Sequence, residues 1–494
     1  MICREAGGFL DRSFLKVKPS PDGQSFDKQP AEVLYMDKVM THPLKTNGQR
    51  TDEQRSALLF EDLKQPLTDK GAAVESSRCL ECGGPYAEAP CVTACPTGID
   101  IPGFISAIYR GEIDGAADRI FEENLLGATC SKVCPVEVLC EGACVLEKEG
   151  RKPVEIGLLQ RYATERELKR RIRFREPAPS NGHKVSVIGA GPAGLSCAGE
   201  LALKGYDVTV YDERQDFGGL VRYAIAPYRI DRDPLPSEVQ MLKDLGVKFE
   251  MGTPIDSREK LDELRKSSEA VFLGIGLGDD VNIGYPGDGL QGVWESLEFI
   301  KTIKTDRLPE IGSSVAVIGG GNTAIDVAIE ARRMGAKDVT IYYRRTESEM
   351  PAYDHEIDEA RSEGVHLQFL TNPVRFEGED RVERMVCQYM QLGEPDDSGR
   401  PRPVKVENTE FAIPVDTVIK AIGQQKRTGF LSWIEDLELD NGLIKIDEST
   451  GQTSNRFFFA GGDALNGGAT VVEAVEDGKV AAHGIDKYVG GMSS

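Results

Sequence analysis

The stretch KVSVIGAGPAGLSCAGELALKGYDVTVYD, residues 184–212, decides the fold. Val185–Ile188 is a β-branched run of the length of one buried strand. It enters Gly189-Ala190-Gly191-Pro192-Ala193-Gly194 directly, and a helical pattern carries the chain on to Lys204. A second β-branched run, DVTVYD, ends on Asp212. The glycines allow a tight turn and let backbone N–H groups and a helix N-terminus approach a pyrophosphate. An acid closing the second strand accepts hydrogen bonds from a ribose. A bare Gly-x-Gly-x-x-Gly is weak evidence, but in this strand–turn–helix–strand–acid setting it specifies dinucleotide binding. A purely structural Gly-rich turn is the competing reading.

The same grammar returns in SVAVIGGGNTAIDVAIEARRMGAKDVTIYYRR, residues 314–345, with Gly319, Gly320, Gly321, Asn322 and Thr323 at the turn. Its second strand ends in Arg344 and Arg345 with no acid in the ribose position. Two guanidiniums there suit a 2′-phosphate, favouring NADP(H) over NAD(H); diphosphate contacts or surface ion pairs are the alternatives. Two such halves in one chain point to FAD in the first and a nicotinamide in the second. The flavin assignment gains support from Gly461-Gly462-Asp463 after the strand Phe457–Ala460, and from Thr470 and Val471 where a last helix opens. Gly219 and Leu220, shortly after Asp212, belong to the same expected site. Between the first turn and Asp463 the only cysteines are Cys197 and Cys387, with no Cys-x-x-Cys, which argues against a dithiol relay, and Cys197 reads as a small buried hydrophobe. Glu473 is a candidate to line the flavin site or a solvated helix residue, and no side chain is assigned a catalytic acid–base role.

Upstream, eight of the eleven cysteines fall between Cys79 and Cys144. They run Cys79, Cys82, Cys91, Cys95-Pro96, then Cys130, Cys134-Pro135, Cys140 and Cys144. Short spacings punctuated by Cys-Pro point to iron–sulfur ligation, with a zinc site as the alternative. The net charge of −22 argues against nucleic acid and against an anionic membrane surface. No apolar run approaches the ~20 residues needed to span a bilayer, and MICREAGGFLDRSF lacks the apolar core of a signal peptide. The expected location is cytoplasmic, where clustered cysteines serve metals or redox chemistry rather than disulfides.

The expected architecture is α/β: a helical N-terminal iron–sulfur domain plus two Rossmann-like dinucleotide-binding domains, the second inserted in the first. Residues 1–70 form an arm, with helical spacing over Thr51–Leu63. The iron–sulfur domain takes 71–178, with helices over Ile101–Arg110, Asp114–Glu123 and Thr164–Arg175. The FAD-binding domain takes 183–305 and 413–494, and the NAD(P)H-binding domain 306–412.

ACPTGIDIPGFI (94–105), VCPVEVLCEGAC (133–144), VEIGLLQRYATE (154–165), VIGAGPAGLSCA (187–198) and FFAGGD (458–463) carry a family likeness. From about Arg78 to Tyr488 the chain resembles the electron-input flavoprotein shared by the glutamate synthase small (beta) subunit and the N-terminal half of dihydropyrimidine dehydrogenase. Its likeness is greatest to the NAD(P)H-oxidising subunit of bacterial two-subunit dihydropyrimidine dehydrogenases. The resemblance implies FAD and two [4Fe–4S] clusters, one held by Cys79, Cys82, Cys91 and Cys144, the other by Cys95, Cys134, Cys140 and Gln160. It also implies that Arg229 contacts FAD, and it leaves Cys130 as a structural thiol. One departure stands out: eight residues, Gly83–Pro90, separate the second and third cysteines where the family has four.

A (β/α)8 substrate barrel needs ~250 residues, and none remain after the three modules. The implied role is therefore to take electrons from NAD(P)H to a separate catalytic subunit, in a hetero-oligomer. A stand-alone or bifurcating oxidoreductase serving a ferredoxin-like acceptor, and a non-catalytic scaffold, are the other readings.

Overall fold

The computed structural model describes residues 62–494 other than 85–86, 171–174, 231–233, 306–307, 397–398 and 493–494. All of these belong to one compact unit, Arg50–Ser494. The expected arm, as far as residue 61, and nearly all of the helix expected over Thr51–Leu63 lie outside the described residues.

The cysteine domain is helical: α1 Asp69–Ser76, α2 Ile101–Arg110, α3 Ile113–Glu123, α4 Gly127–Val133 and α5 Ile156–Arg170. Each end of α2 has a local cause. The Asp100 carboxylate accepts from Gly103 N at 3.0 Å, Pro102 sits in the first turn, and Gly111 stops the helix at φ 80°. Ile101, Phe104, Ile105 and Ile108 follow the 3.6-residue period and pack into one core with Ile120, Ile156 and Leu159.

The first nucleotide-binding domain opens with β1 Lys184–Ile188, helix α6 Pro192–Leu203, β2 Asp207–Asp212, α7 Leu235–Asp244, β3 Lys248–Met251 and β4 Ala270–Leu273. The inserted domain carries β5 Val293–Glu295, α8 Ser296–Lys304, β6 Ser314–Ile318, α9 Asn322–Arg333, β7 Asp338–Tyr342, α10 Asp354–Ser362 and β8 His366–Gln368. It continues through β9 Thr371–Glu377, β10 Arg384–Pro395, β11 Pro401–Lys405, β12 Phe411–Pro414 and β13 Thr417–Lys420. The chain then returns through a small hairpin, β14 Leu439–Asp440 and β15 Leu443–Ile444, and the strands β16 Ile446–Asp447, β17 Gln452–Thr453 and β18 Phe458–Ala460. It ends in the long helix α11, Val471–Met492.

Sheet order is β16-β17-β18-β4-β1-β2-β3 in the first domain and β5-β13-β6-β7-β8 in the second. The second sheet is parallel throughout, and β9, β10, β11 and β12 form an antiparallel annex. Insertion of one Rossmann-like domain in the other is as expected, but the boundaries differ. Strands β5 and β13 lie outside 306–412 yet pair with each other, and α8 packs into the second core through Phe299, Ile300 and Ile303. A three-residue strand carries too little periodicity to announce its partner in sequence. The neck between the domains is two antiparallel segments, with Gly278 N donating to Gln425 O at 2.7 Å and Val281 N to Gly423 O at 2.8 Å.

The cysteine and flavin domains share a core. Leu125, Leu126 and Cys130 pack in one cluster with Leu195, Leu201 and Leu242. Leu125 enters α6 at Gly199, where an added Cβ would lie 2.4 Å from its Cδ1. Fully buried Glu238, from α7, accepts from Ala128 N at 2.8 Å, Thr129 N at 3.0 Å and the Thr129 hydroxyl, capping α4 across the domain boundary.

Burial raises the Glu238 carboxyl from 4.5 to about 7, with the three donors pulling the other way. The folded chain therefore holds this proton more tightly than the unfolded chain, so this site's contribution to stability falls as pH rises from 4.5 towards 7. Glu238→Gln should flatten that part of the pH dependence of the melting temperature. Glu238→Ala, which strands two buried N–H groups and a hydroxyl, should cost about 2–4 kcal/mol and lower the melting temperature at every pH. Calorimetry of the holoprotein from pH 5 to 8 checks both; an unchanged profile in both variants would remove Glu238 from the domain contact.

Candidate functional site

A long groove crosses the carboxyl ends of β1, β2 and β4, where open α/β sheets place their ligands. Gly189, Gly191, Pro192 and Ala193 form its floor, and Asp212, Gly219 and Leu220 one wall. Gly462, Asp463, Thr470 and Val471 close it from the returning chain. Ala190 and Gly194 stand behind this surface. Ala190 N donates to Asp212 Oδ2 at 2.7 Å, tying the turn to the strand end. The other Asp212 oxygen accepts from Arg214 N at 2.8 Å.

The glycine requirement is explicit. Gly189 has φ +104°, and a Cβ there would sit 2.1 Å from Gly274 O; at Gly194 it would sit 1.9 Å from Gly189 O. Gly191 is different: its Cβ position has nothing nearer than Gly219 Cα at 3.9 Å, leaving the backbone open to a ligand. Thr470 and Glu473 form a capping box at the start of α11, with Thr470 N donating to Glu473 Oε2 at 2.8 Å and Glu473 N to Thr470 Oγ1 at 3.3 Å. Glu473 is thus a helix cap and lies outside the groove lining. Burial raises the Asp463 carboxyl, countered by Ala469 N, which donates to it at 3.3 Å.

Arg229 is not in this groove. It pairs with Asp326 at 2.8 Å and Glu356 at 3.1 Å, and the Tyr228 hydroxyl donates to the same Asp326 at 2.6 Å. The expected flavin contact of Arg229 is replaced by a clasp to α9 and α10, because the acids it meets are contributed by the inserted domain. Sequence reasoning missed Arg427 and Phe430, which line the groove from the far side; Arg427 Nε donates to Leu277 O at 3.1 Å. No local motif marks either residue.

A second pocket lies over the inserted sheet. Gly319, Gly320, Gly321, Thr323, Arg344 and Arg345 line it, while the Asn322 side chain accepts from Tyr353 N at 3.1 Å. Gly319 is held at φ +144° against Ala421 O, and the Tyr343 ring backs Gly320. Arg345 is buried and pairs with Asp396 at 2.8 Å, whereas Arg344 is exposed.

In the cysteine domain, Cys79, Cys82, Cys91 and Cys144 surround one small apolar cavity with Ile101, Ile105 and Ile156. The long Cys82–Cys91 gap folds back on itself: Gly84 N donates to Ala87 O at 3.0 Å in an isolated antiparallel bridge, so both cysteines still reach the cavity. Cys95, Cys134 and Cys140 neighbour one another electrostatically. Gln160 is buried, and its Nε2 donates to Gly127 O at 2.7 Å, at the start of the helix that ends on Cys134. Cys130 is buried in the shared core and accepts from Asn124 Nδ2 at 3.3 Å.

The donor set fits iron–sulfur clusters. Four thiols, Cys79, Cys82, Cys91 and Cys144, ring one small apolar cavity, the arrangement a cluster needs. Burial and the neighbouring thiols push Cys91 up to about 12, and a cluster bound there would supply the positive charge that favours its thiolate.

Two dinucleotide pockets on paired Rossmann-like domains, joined to a cysteine-lined domain, define an iron–sulfur flavoprotein. Residues 183–478 match the pyridine nucleotide–disulphide oxidoreductase family, and residues 55–172 match the domain described as dihydropyrimidine dehydrogenase domain II, 4Fe-4S cluster. The chain is 36% identical over 447 residues to the glutamate synthase [NADPH] small chain of Halomonas elongata, covering 87% of this chain and 93% of that one. It belongs to the family of that small chain, and is an NAD(P)H-dependent oxidoreductase with sites for FAD, NADP(H) and [4Fe–4S]. It is also 38% identical over 448 residues to the NADP(+)-dependent formate dehydrogenase subunit beta of Moorella thermoacetica, matching 85% of this chain but only 62% of that protein's length. The FprA oxidoreductase of Mycobacterium tuberculosis shares the fold, with TM-score 0.52 at 18% identity over 64% of this chain and 86% of its own. No described helix is long and apolar enough to cross a membrane.

Gly189→Ala should abolish retention of FAD, because no small shift relieves a 2.1 Å contact with backbone. Flavin absorbance per chain after gel filtration measures it, and full occupancy in the variant would overturn the assignment of this groove.

Proposed function

We propose that the chain takes electrons from NADPH and delivers them, through FAD and two [4Fe–4S] clusters, to a separate catalytic subunit. Flavin and iron–sulfur groups supply hydride acceptance, one-electron release and relay when bound; the residues of this chain bind, orient and space them. Gly189–Gly194, Asp212 and the Gly462–Asp463 turn would hold FAD, with the N-terminus of α6 towards its diphosphate. Gly319–Thr323 and Arg344 would hold the nucleotide. Cys79, Cys82, Cys91 and Cys144 would hold one cluster, and Cys95, Cys134, Cys140 and the Gln160 amide oxygen the other. With Nε2 committed to Gly127 O, Oε1 is the atom Gln160 has left to offer.

The observation that carries this reading is the shared core of the cysteine and flavin domains. Cys134 and Leu139 pack against the cluster that contains Val221 and Val475, so the Cys134 group is the one nearer the flavin groove. From α11, Lys479 donates to Thr97 O at 3.4 Å and pairs with Glu123, fastening the segment just after Cys95 to the helix that opens the groove. The Cys79 group packs in a separate core beside exposed Leu80 and would serve as the exit.

The relatives' names place similar chains in different assemblies, as a glutamate synthase small chain, a formate dehydrogenase beta subunit and an NADPH-Fe(3+) oxidoreductase beta subunit. The partner here is of the dihydropyrimidine dehydrogenase or glutamate synthase type; Gln160 in VEIGLLQ favours the former. The neutral amide, in place of a thiolate, would change the net charge of the cluster it held and so its potential.

Cys79→Ala should leave anaerobic bleaching of the flavin by NADPH within about twofold, while slowing reduction of a one-electron protein acceptor by at least about tenfold. Stopped-flow absorbance at flavin wavelengths and acceptor turnover separate the two steps. Equal loss of both, with the flavin still bound, would refute the relay order.

A further inference from the structure

The pocket over the inserted sheet is an electrostatic exception in a chain of net charge −22. Among the described residues, four cations line it, Arg344, Arg345, Arg400 and Lys405, against one carboxylate, Asp280. That carboxylate is already engaged, accepting from the Ser296 hydroxyl at 2.6 Å and Leu297 N at 2.9 Å to cap α8. The cations come from two places. Arg344 and Arg345 follow β7, while Arg400 and Lys405 belong to the β10–β11 hairpin, which is remote in sequence and contains no nucleotide-binding motif.

Arg345, the second half of the pair that suggested a 2′-phosphate, is largely spent inside the protein. Its Nε donates to Pro401 O at 2.7 Å, its NH2 group pairs with Asp396 at 2.8 Å, and the residue is 4% exposed. Both partners belong to the hairpin. Asp396 also organises the bend, where Asp396 N donates to Arg400 O at 2.8 Å and Arg400 N to Asp396 Oδ1 at 3.3 Å. Arg345 therefore anchors the segment that carries Arg400, and β11 pairs with β10 at Lys405–Met390, fixing where Lys405 emerges.

In a βαβ unit the Gly-rich turn and helix N-terminus take the diphosphate, and the end of the second strand lies beside the adenosine ribose. That strand end is Arg344, and the hairpin cations flank the same pocket. On the reading that this pocket takes the pyridine nucleotide, we propose that Arg400 and Lys405, with Arg344, bind the 2′-phosphate of NADPH, and that Arg345 is a positioning residue holding the hairpin in place. A phosphate monoester close to −2 in charge accepts several charge-assisted hydrogen bonds at once, which an exposed Arg344 alone cannot supply. Selectivity for NADP(H) over NAD(H) is then set by the hairpin as much as by the strand end.

The test uses the FAD-loaded holoprotein and two probes, adenosine 2′,5′-bisphosphate and adenosine 5′-monophosphate, titrated by calorimetry. The wild type should prefer the bisphosphate. The double variant Arg400→Ala/Lys405→Ala should lose on the order of tenfold per cation for the bisphosphate, with a shallower salt dependence, and stay within about twofold for the monophosphate. Asp396→Asn, which leaves every pocket cation in place, should show the same selective loss at smaller size, and Lys405→Arg should retain the preference. Unaltered flavin content and melting temperature guard against misfolding. A double variant that keeps the wild-type preference, or weakens both probes equally, overturns the hairpin assignment alone. A wild type with no preference for the bisphosphate overturns the nucleotide reading of the pocket together with it.

Discussion

The contact that ties the cysteine domain to the flavin domain is the constraint on which the rest of the structure depends, because it fixes how the cysteine groups sit against the flavin groove. The buried carboxylate of Glu238 is the clearest expression of that constraint. It leaves α7 of the flavin domain and satisfies two backbone N–H groups at the start of α4, the helix that ends on Cys134. A helix N-terminus has orphan donors that must be met somewhere, and here they are met across a domain boundary. Lys479 makes the reciprocal contact from α11 to Thr97 O and Glu123. Apolar packing of Leu125 on Gly199 fills the space between them. Polar fasteners of this kind fix a register that hydrophobic packing alone would leave free to slide.

The inserted domain is tied to the flavin domain by the same logic with the charges reversed. Lys304 of α8 is 1% exposed, and its ammonium donates to the carbonyls of Val221, Ile225 and Ile230 at 2.9, 2.8 and 3.0 Å. Val221 and Ile225 line the flavin groove, so a lysine of the nucleotide domain shapes the wall of the flavin site. Arg229 completes the joint through Asp326 and Glu356. An arginine near a flavin segment reads in sequence as a ligand. The acids that claim it come from α9 and α10, more than ninety residues away in the chain.

What sequence conveyed well was whatever is encoded locally. Both Gly-rich turns and the α2 helix at Ile101–Arg110 were legible because spacing and residue type carry the information, whereas the grouping of Cys79, Cys82 and Cys91 with Cys144 came only with the family resemblance. What escaped was non-local. Strand β5 has three residues and acquires its meaning from pairing with β13, more than a hundred positions on. Arg427 and Phe430 reach the flavin groove only through the return of the chain after the inserted domain. Glu473, which a pattern reading could assign to the site, is absorbed by the capping box that starts α11. The eight-residue gap before Cys91 stands out as a count, and Gly84 and Ala87 bridge across it, a pairing that no local pattern announces.

The charge distribution completes the physical picture. NADPH carries several negative charges and must approach a chain whose formal charge is −22. At physiological ionic strength the Debye length is about 8 Å, so the overall repulsion is screened until contact, and local charges decide binding. Arg344, Arg400 and Lys405, the pocket cations other than the Arg345 paired with Asp396, would supply that local charge for a nucleotide bound there. The same acidity acts differently on a protein partner, whose large interface meets many surface charges together. On the proposed reading, a docking partner would meet this charge with basic residues or cover the exposed Leu80 beside the Cys79 group. On the proposed reading, nucleotide capture would rest on a few cations in one pocket, and partner docking on the charge of the chain at large.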